Sequence, residues 1–129
     1  MGKTTIPGSN DIYATKPAGA DLTDKEGLNI KVSNGTVVLC STAGEIPDGI
    51  LVAGGKQNEN VTYQIKGQTK MVASVNSIKA GNLLSTTNAG KGKAAAAAEF
   101  MFARALEDAN SDGHRILVDI VNAGFKPAG

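Results

Sequence analysis

The chain has 129 residues, enough for one domain, and its 13 basic and 12 acidic side chains leave a formal net charge of +1. Proteins whose main partner is nucleic acid usually carry a basic excess or stripe, so this balance argues against such a partner. No apolar run approaches the roughly 18 residues of a membrane-spanning helix, and the N-terminus lacks the apolar core of a signal peptide. We therefore expect no membrane partner and synthesis in the cytoplasm.

Residues 1–27 are predicted to form an extended N-terminal arm. Prolines and glycines interrupt this stretch, and proline disfavours both the interior of a helix and a central strand. A fully solvated tail would not need isolated apolar side chains, so we interpret four of them as partner contacts: Ile6, Pro7, Ile12 and Tyr13. The alternative, from composition alone, is a disordered tail.

A β-module is predicted over residues 28–122, and its first hairpin has the clearest pattern. Leu28, Ile30 and Val32 alternate with polar residues, the period of two that is typical of a half-buried strand. Asn34-Gly35 follows, a dipeptide that favours a type I′ turn. Residues 36–40 are then the returning strand.

Short apolar runs separated by turn residues predict the remaining strands. The five alanines of residues 94–98 predict either a single helical turn or an irregular bridge, and residues 123–129 a C-terminal tail. About eight short strands and 16 glycines, with no long amphipathic stretch, predict an all-β fold: a small β-barrel or β-sandwich. The further strands are predicted at residues 50–53, 61–65, 69–75, 83–84, 100–106 and 116–121, with a turn at residues 66–68.

Two segments of the chain resemble each other. Residues 49–65 and residues 103–120 each read as strand, polar loop and strand. We interpret them as a duplicated hairpin unit, whose copies could pack face to face around one core. Convergence of two ordinary hairpins is the alternative.

Candidate catalytic residues are few. Cys40 is the single cysteine, which excludes an intrachain disulfide, and it lies in an apolar run that predicts a buried side chain. His114, the single histidine, lies in a turn-like stretch with no nucleophile placed near it by the sequence. The sequence therefore predicts no catalytic residues, and the protein is not expected to be an enzyme.

Cofactor and metal patterns are equally weak. The glycine-rich residues 54–55 and 90–92 do not lie between a strand and a helix, so they indicate hairpin turns rather than phosphate loops. Asp108, Asn110 and Asp112 alternate like the first ligands of a calcium loop, but the twelfth position is Asp119 and the flanks are predicted strands. We expect no cofactor and no metal site.

An ordered set of short motifs resembles the capsid cement, or head decoration, proteins of tailed phages. Ala-Gly-Asn-Leu-Leu at residues 80–84 resembles the family's Ala-Gly-Asp-Leu piece, and Arg-Ala-Leu-Glu at residues 104–107 resembles its Gly-(Arg/Val)-Ala-Leu-Glu motif, with Ala103 where glycine is usual. The resembling pieces are residues 32–39, 47–52, 78–84 and 103–109.

The resemblance implies a non-enzymatic structural protein of the virion. It would bind the outer surface of the expanded capsid, contact major capsid protein subunits and stand there as a homo-oligomer, often a trimer. The alternative is a carbohydrate- or cell-surface-binding β-module. Sugar sites usually present stacking aromatics, and an aromatic content of 4% argues against that alternative.

Overall fold

The computed structural model describes residues 11–74 and 78–127, and in this part of the chain all regular secondary structure is β. The predicted all-β class is confirmed, with nine strands where about eight were expected. The strands are β1 (Ile12–Pro17), β2 (Asn29–Ser33), β3 (Thr36–Leu39), β4 (Gly49–Ala53), β5 (Asn60–Val72), β6 (Leu83–Thr86), β7 (Gly92–Ala94), β8 (Phe100–Ala105) and β9 (Arg115–Phe125).

The strands follow the order β3-β2-β4-β5-β9-β8-β6-β7, and β1 pairs with β5 beside this path. All these pairings are antiparallel. Just after β1, Ala18 forms a parallel bridge with Val37 of β3, and the Gly19 amide donates to the Val37 carbonyl at 2.8 Å. This contact curls the first five strands toward a barrel, because it joins β1 to the far edge of their sheet.

The predicted first hairpin is confirmed as β2–β3. Val32 lies opposite Val37, and the two turn residues have positive φ, 52° at Asn34 and 79° at Gly35. A type I′ turn requires positive φ at both central positions, which asparagine and glycine tolerate best. Local chemistry alone therefore specifies this turn.

The predicted turn at residues 66–68 is wrong, because β5 runs through it as a single strand of 13 residues. Gly67 has a φ of +103°, and the buried Gln64 side chain donates from Nε2 to the carbonyls of Lys66 and Gln68, each at 3.0 Å. The glycine allows a bend in the strand. The side-chain amide of Gln64 donates hydrogen bonds to the backbone carbonyls on both sides of that bend. The first half of β5 therefore pairs with β1 and β4, and the second half with β9.

Two apolar clusters fill the molecule, where the duplicated hairpins were expected to share one core. The hairpins exist as β4–β5 and β8–β9, but they meet edge to edge through β5 and β9 rather than face to face. The first cluster includes Leu22, Leu51 and Tyr63, and the second includes Ile50 and Phe102. Neighbouring residues of β4 thus point into different clusters, so β4 is covered on both faces.

The boundaries predicted for the arm and the tail need correction. β1 belongs to the sheet, and Ala18 and Leu22 are buried in the first cluster, so residues 12–27 are part of the module rather than an arm. At the other end β9 continues through Phe125, past the expected end at residue 122. Apolar residues within the predicted arm were interpreted as partner contacts, but Ala18 and Leu22, in the same stretch, pack within the chain.

The run of five alanines forms an irregular bridge. Ala94 ends β7, and Ala98 has a φ of +67°.

Candidate partner-binding surface

Two of the four predicted contact residues can be placed, since Ile6 and Pro7 lie outside the described residues. Ile12 and Tyr13 begin β1 and are 46% and 49% exposed. They lie opposite Lys66 and Gln64 of β5, with an irregularity in register between them. Both apolar side chains are therefore at the surface, as a partner contact requires.

The position of these side chains is fixed by the backbone pairing of β1, because few β1 side chains pack in the core. Within β1 only Ala14 packs against the first cluster. A cross-strand contact between the Thr15 and Thr62 hydroxyls, at 3.1 Å, adds to the backbone ladder with β5. Because its side chains contribute so little burial, β1 can keep Ile12 and Tyr13 free at low cost to the core.

Two further exposed apolar residues lie beside the bend in β5. Ile65 and Val121 are each 36% exposed, and Val121 follows Ile120, which lies opposite Gly67 at the bend. We call Ile12, Tyr13, Ile65 and Val121 the bend surface. The sequence analysis missed both residues. Ile65 continues an alternation whose earlier members, Val61 and Tyr63, are buried, and Val121 directly follows the buried Ile120 within one apolar strand pattern.

A half-buried ion pair lies where the β3–β4 loop meets β6 and the start of β8. The Glu99 carboxylate accepts from Lys93 Nζ at 2.6 and 2.7 Å, from the Ser85 hydroxyl at 2.8 Å and from the Ala96 amide at 2.8 Å. Burial disfavours the charged carboxylate, but these hydrogen bonds outweigh it and lower the pKa of Glu99. Glu99 also packs against Gly44, whose amide donates to the Thr86 carbonyl at 2.9 Å.

A second carboxylate organises the loop between β3 and β4. Glu45 accepts from the amides of Ser41 and Thr42 at 2.7 and 2.9 Å and from Lys31 Nζ at 3.2 Å. Burial acts to raise the pKa of Glu45, and these bonds to the charged form reverse that effect and lower it. The loop that contacts β6 and β8 is therefore held in one shape.

The residues considered for catalysis or metal binding each have their own surroundings in the structure. Cys40 is buried as predicted, and desolvation raises the pKa of its thiol to about 12, which keeps it protonated at neutral pH. His114 Nδ1 accepts from the Asn110 amide at 3.1 Å. Asp108 accepts from the Ala80 amide at 2.8 Å, while Asp112 pairs with a lysine of another loop at 3.2 Å. These carboxylates serve different loops instead of converging.

Two general features of the described chain bear on its partners. Residues 11–74 and 78–127 contain no group of three or more histidine, cysteine or acidic side chains that could hold a metal ion. In the same residues no helix is long and apolar enough to cross a membrane.

The fold is similar to that of a solved phage structure, described as the head fiber gp8.5 N base in bacteriophage phi29. The TM-score is 0.71 at 17% sequence identity, over 91% of this chain and 99% of that chain. The sequence matches no protein-family model and no curated protein. The predicted resemblance to phage capsid-associated proteins is thus confirmed at the level of fold, which by itself does not decide function.

Proposed function

We propose that this protein is a structural component of a tailed-phage head that binds the outer surface of the expanded capsid across major capsid protein subunits and stabilises the shell. The observation that carries the proposal is the shared fold with a phage head-fibre base over 91% of this chain. The motif resemblance to capsid decoration proteins supports the same role independently of the fold.

The physical basis of stabilisation is mechanical. Expansion of a capsid leaves seams between neighbouring subunits, and a rigid module that touches two or three of them raises the free energy needed to separate them. The curled sheet, its two clusters and the Glu99 and Glu45 networks make this module rigid. Many bound copies add avidity, because each holds its neighbours at high effective concentration. A trimer would multiply the contacts further.

The contact proposed for this role is the bend surface together with the residues that precede β1. Exposed Ile12 and Tyr13 would fill apolar pockets on the shell. The preceding residues, with Ile6 and Pro7, would add a strand to an exposed sheet edge of the capsid protein.

The experiment that tests the function is capsid binding. Purified protein is mixed with expanded heads that lack it, from the phage or prophage that carries the gene, and co-sedimentation and thermal disruption of the heads are measured. We expect saturable binding and a raised disruption temperature. Failure to bind would overturn the proposal, and binding on a glycan array instead would favour the carbohydrate module. Native mass spectrometry of the free protein tests the trimer.

The arm is tested by removing residues 1–10. This deletion spares β1 and both clusters, so the shortened chain should fold with an unchanged melting temperature and bind heads more weakly. Removing residues 1–27 is not a usable test, because it also removes β1, Ala18 and Leu22 from the folded module. Undiminished binding by the chain that lacks residues 1–10 would rule out a role for the arm.

The neighbour's name supports a second candidate, the base of a head fibre. In that role the module would bind the shell and also anchor a projecting chain. Heads from a phage deleted for this gene should then lack a second protein as well as this one. Loss of this protein alone from the deleted phage would leave the capsid-stabilising role as the better description.

A further inference from the structure

The second half of β5 forms, with β9, β8 and β6, a sheet with one buried and one open face. Val118 and Ile120 of β9 point into the second cluster, together with the β8 alanines opposite them. On the other face Leu83 lies opposite Arg104, which lies opposite Asp119, and Leu117 lies opposite Lys70. We call these residues the outer face: Lys70, Leu83, Arg104, Leu117 and Asp119.

The outer face is only partly polar. Leu83 and Leu117 are half-buried, and no other strand of the described chain covers them. Beside Leu83 lies a depression of about 270 Å³ whose walls include Ala95, Met101 and Lys126. Lys126 Nζ donates to the Ala95 carbonyl at 3.1 Å and so stands at the wall of the depression. An apolar side chain of a partner could enter this space between the leucine and the methionine.

The charges on and beside the outer face are unevenly satisfied. Glu107 accepts from Lys70 Nζ at 3.2 Å and from the Leu117 amide at 2.6 Å, so its carboxylate has partners within the chain. Arg104 is exposed and makes no ion pair or hydrogen bond with another residue of the described chain, although Asp119 lies across from it. The guanidinium has five donors in a planar fork that matches a carboxylate. Asp119 likewise makes no ion pair or hydrogen bond with another residue of the described chain, and Lys126 at the depression donates only to a carbonyl. The unpaired charges of Arg104, Lys126 and Asp119 therefore leave an excess of one positive charge.

We infer that the outer face is a second contact surface, which adjoins the bend surface on β9, where Val121 follows Asp119 by two residues. It would dock a segment of the capsid shell protein that places an apolar side chain in the depression and a carboxylate on Arg104. This inference rests on the proposed function and names the chemistry of the partner: an apolar anchor flanked by acidic residues. An apolar centre with arginine beside it is a common composition of protein interfaces.

The test compares two charge reversals in the full-length chain. Arg104→Glu removes the free guanidinium, and Lys56→Glu makes the same change of charge at an exposed residue of the β4–β5 loop. Capsid affinity should fall about 10- to 100-fold for Arg104→Glu, the range for loss of a hydrogen bond between charged groups. Lys56→Glu should bind like the unaltered protein. Equal melting temperatures of both variants would show that the fold is kept.

Two further measurements test the contact proposed for the outer face. Arg104→Lys keeps the charge without the fork and should lie between Arg104→Glu and the unaltered protein. A photo-crosslinker at Leu83 should capture an acidic segment of the shell protein on decorated heads.

The outcomes separate the two proposals. If the unaltered protein binds heads and Arg104→Glu binds equally well, the outer-face contact is wrong while the proposed function stands. A crosslink from Leu83 only to another copy of this chain also overturns the contact. If the unaltered protein does not bind heads, both proposals fall together.

Discussion

The two hairpins β4–β5 and β8–β9 have the same sequence plan and serve different purposes. In β4 the consecutive residues Gly49, Ile50 and Leu51 are all buried, because one cluster lies on each side of the strand. In β9 buried Val118 and Ile120 alternate with half-exposed neighbours. The first hairpin is internal scaffold, and the second keeps one face open.

This difference shows where a small β-protein can place a partner surface. A strand buried on both faces cannot change without disturbing packing, whereas a one-sided strand can vary its outer residues with little effect on stability. Three of the five outer-face residues, Arg104, Leu117 and Asp119, lie on the one-sided hairpin, and the bend surface lies where the two hairpins join. Both candidate contacts therefore lie away from the doubly buried strand.

The largest expected effect tests the double burial of β4. Leu51→Ala empties part of the first cluster and Ile50→Ala part of the second, and each should lower the free energy of unfolding by about 2–5 kcal/mol. Leu117→Ala, on the half-exposed face of β9, is the matched control and should cost about 1 kcal/mol or less. Urea unfolding followed by circular dichroism measures all three. Equal costs for Leu51 and Leu117 would contradict the comparison.

A smaller effect is expected at the ion pair of Glu99 and Lys93, next to the second hairpin. Glu99→Gln weakens the bonds to Lys93, Ser85 and the Ala96 amide and should cost about 1.5–3 kcal/mol at neutral pH. The folded pKa of Glu99 lies below its usual 4.5, so its stabilisation is complete above that value and is lost as the pH falls through the folded pKa.

The pH dependence supplies the control for this prediction. Chemical unfolding of the two proteins is compared at pH 7 and at successively lower pH values below 4.5. The stability difference between the unaltered protein and Glu99→Gln should shrink as the acid protonates Glu99. A difference that stays constant over this range would mean that the charge of Glu99 does not carry the effect.

The smallest effect concerns the bend itself. Gly67→Ala places a Cβ at a φ of +103° against Asp11, whereas Gly35→Ala has a φ of +79° and no atom within 4 Å of the new carbon. Both should lose about 1–2 kcal/mol from the left-handed backbone, and Gly67→Ala should lose more because of the contact. Thermal unfolding ranks them. A smaller loss for Gly67→Ala would show that the bend tolerates a side chain.

Local patterns in the sequence predicted the parts of the fold that depend on local chemistry. The β2–β3 hairpin follows from its alternation and from Asn34-Gly35, and the buried Cys40 follows from its apolar neighbours. The turn expected at Gly67 failed because glycine permits a bend as well as a reversal. Whether the chain bends or reverses at Gly67 depends on contacts with other parts of the molecule. These contacts are the hydrogen bonds of Gln64, the pairing of β5 with its neighbouring strands and the contact with Asp11.

For the candidate contact residues, too, the sequence predicted one part and the tertiary structure decided the rest. Ile12 and Tyr13 stood out as isolated apolar residues in a polar stretch, and they are exposed. Ala18 and Leu22 belong to the same stretch but are buried, because the chain after β1 crosses to β3 and covers the first cluster. Ile12 and Tyr13 are adjacent in the chain whereas Ala18 and Leu22 are not, yet the adjacent pair is the exposed one. The local pattern therefore does not predict which pair is buried.

The sequence by itself determined the strand-rich character of this protein, its first hairpin and the repeated hairpin plan, since alternation and turn residues act over a few positions. Only the tertiary structure decided that β5 continues through Gly67, that β4 separates two clusters and that Arg104 stands free on an open face. These features arise from pairings between residues far apart in the chain, and a local pattern carries no information about which distant strand will cover a given face.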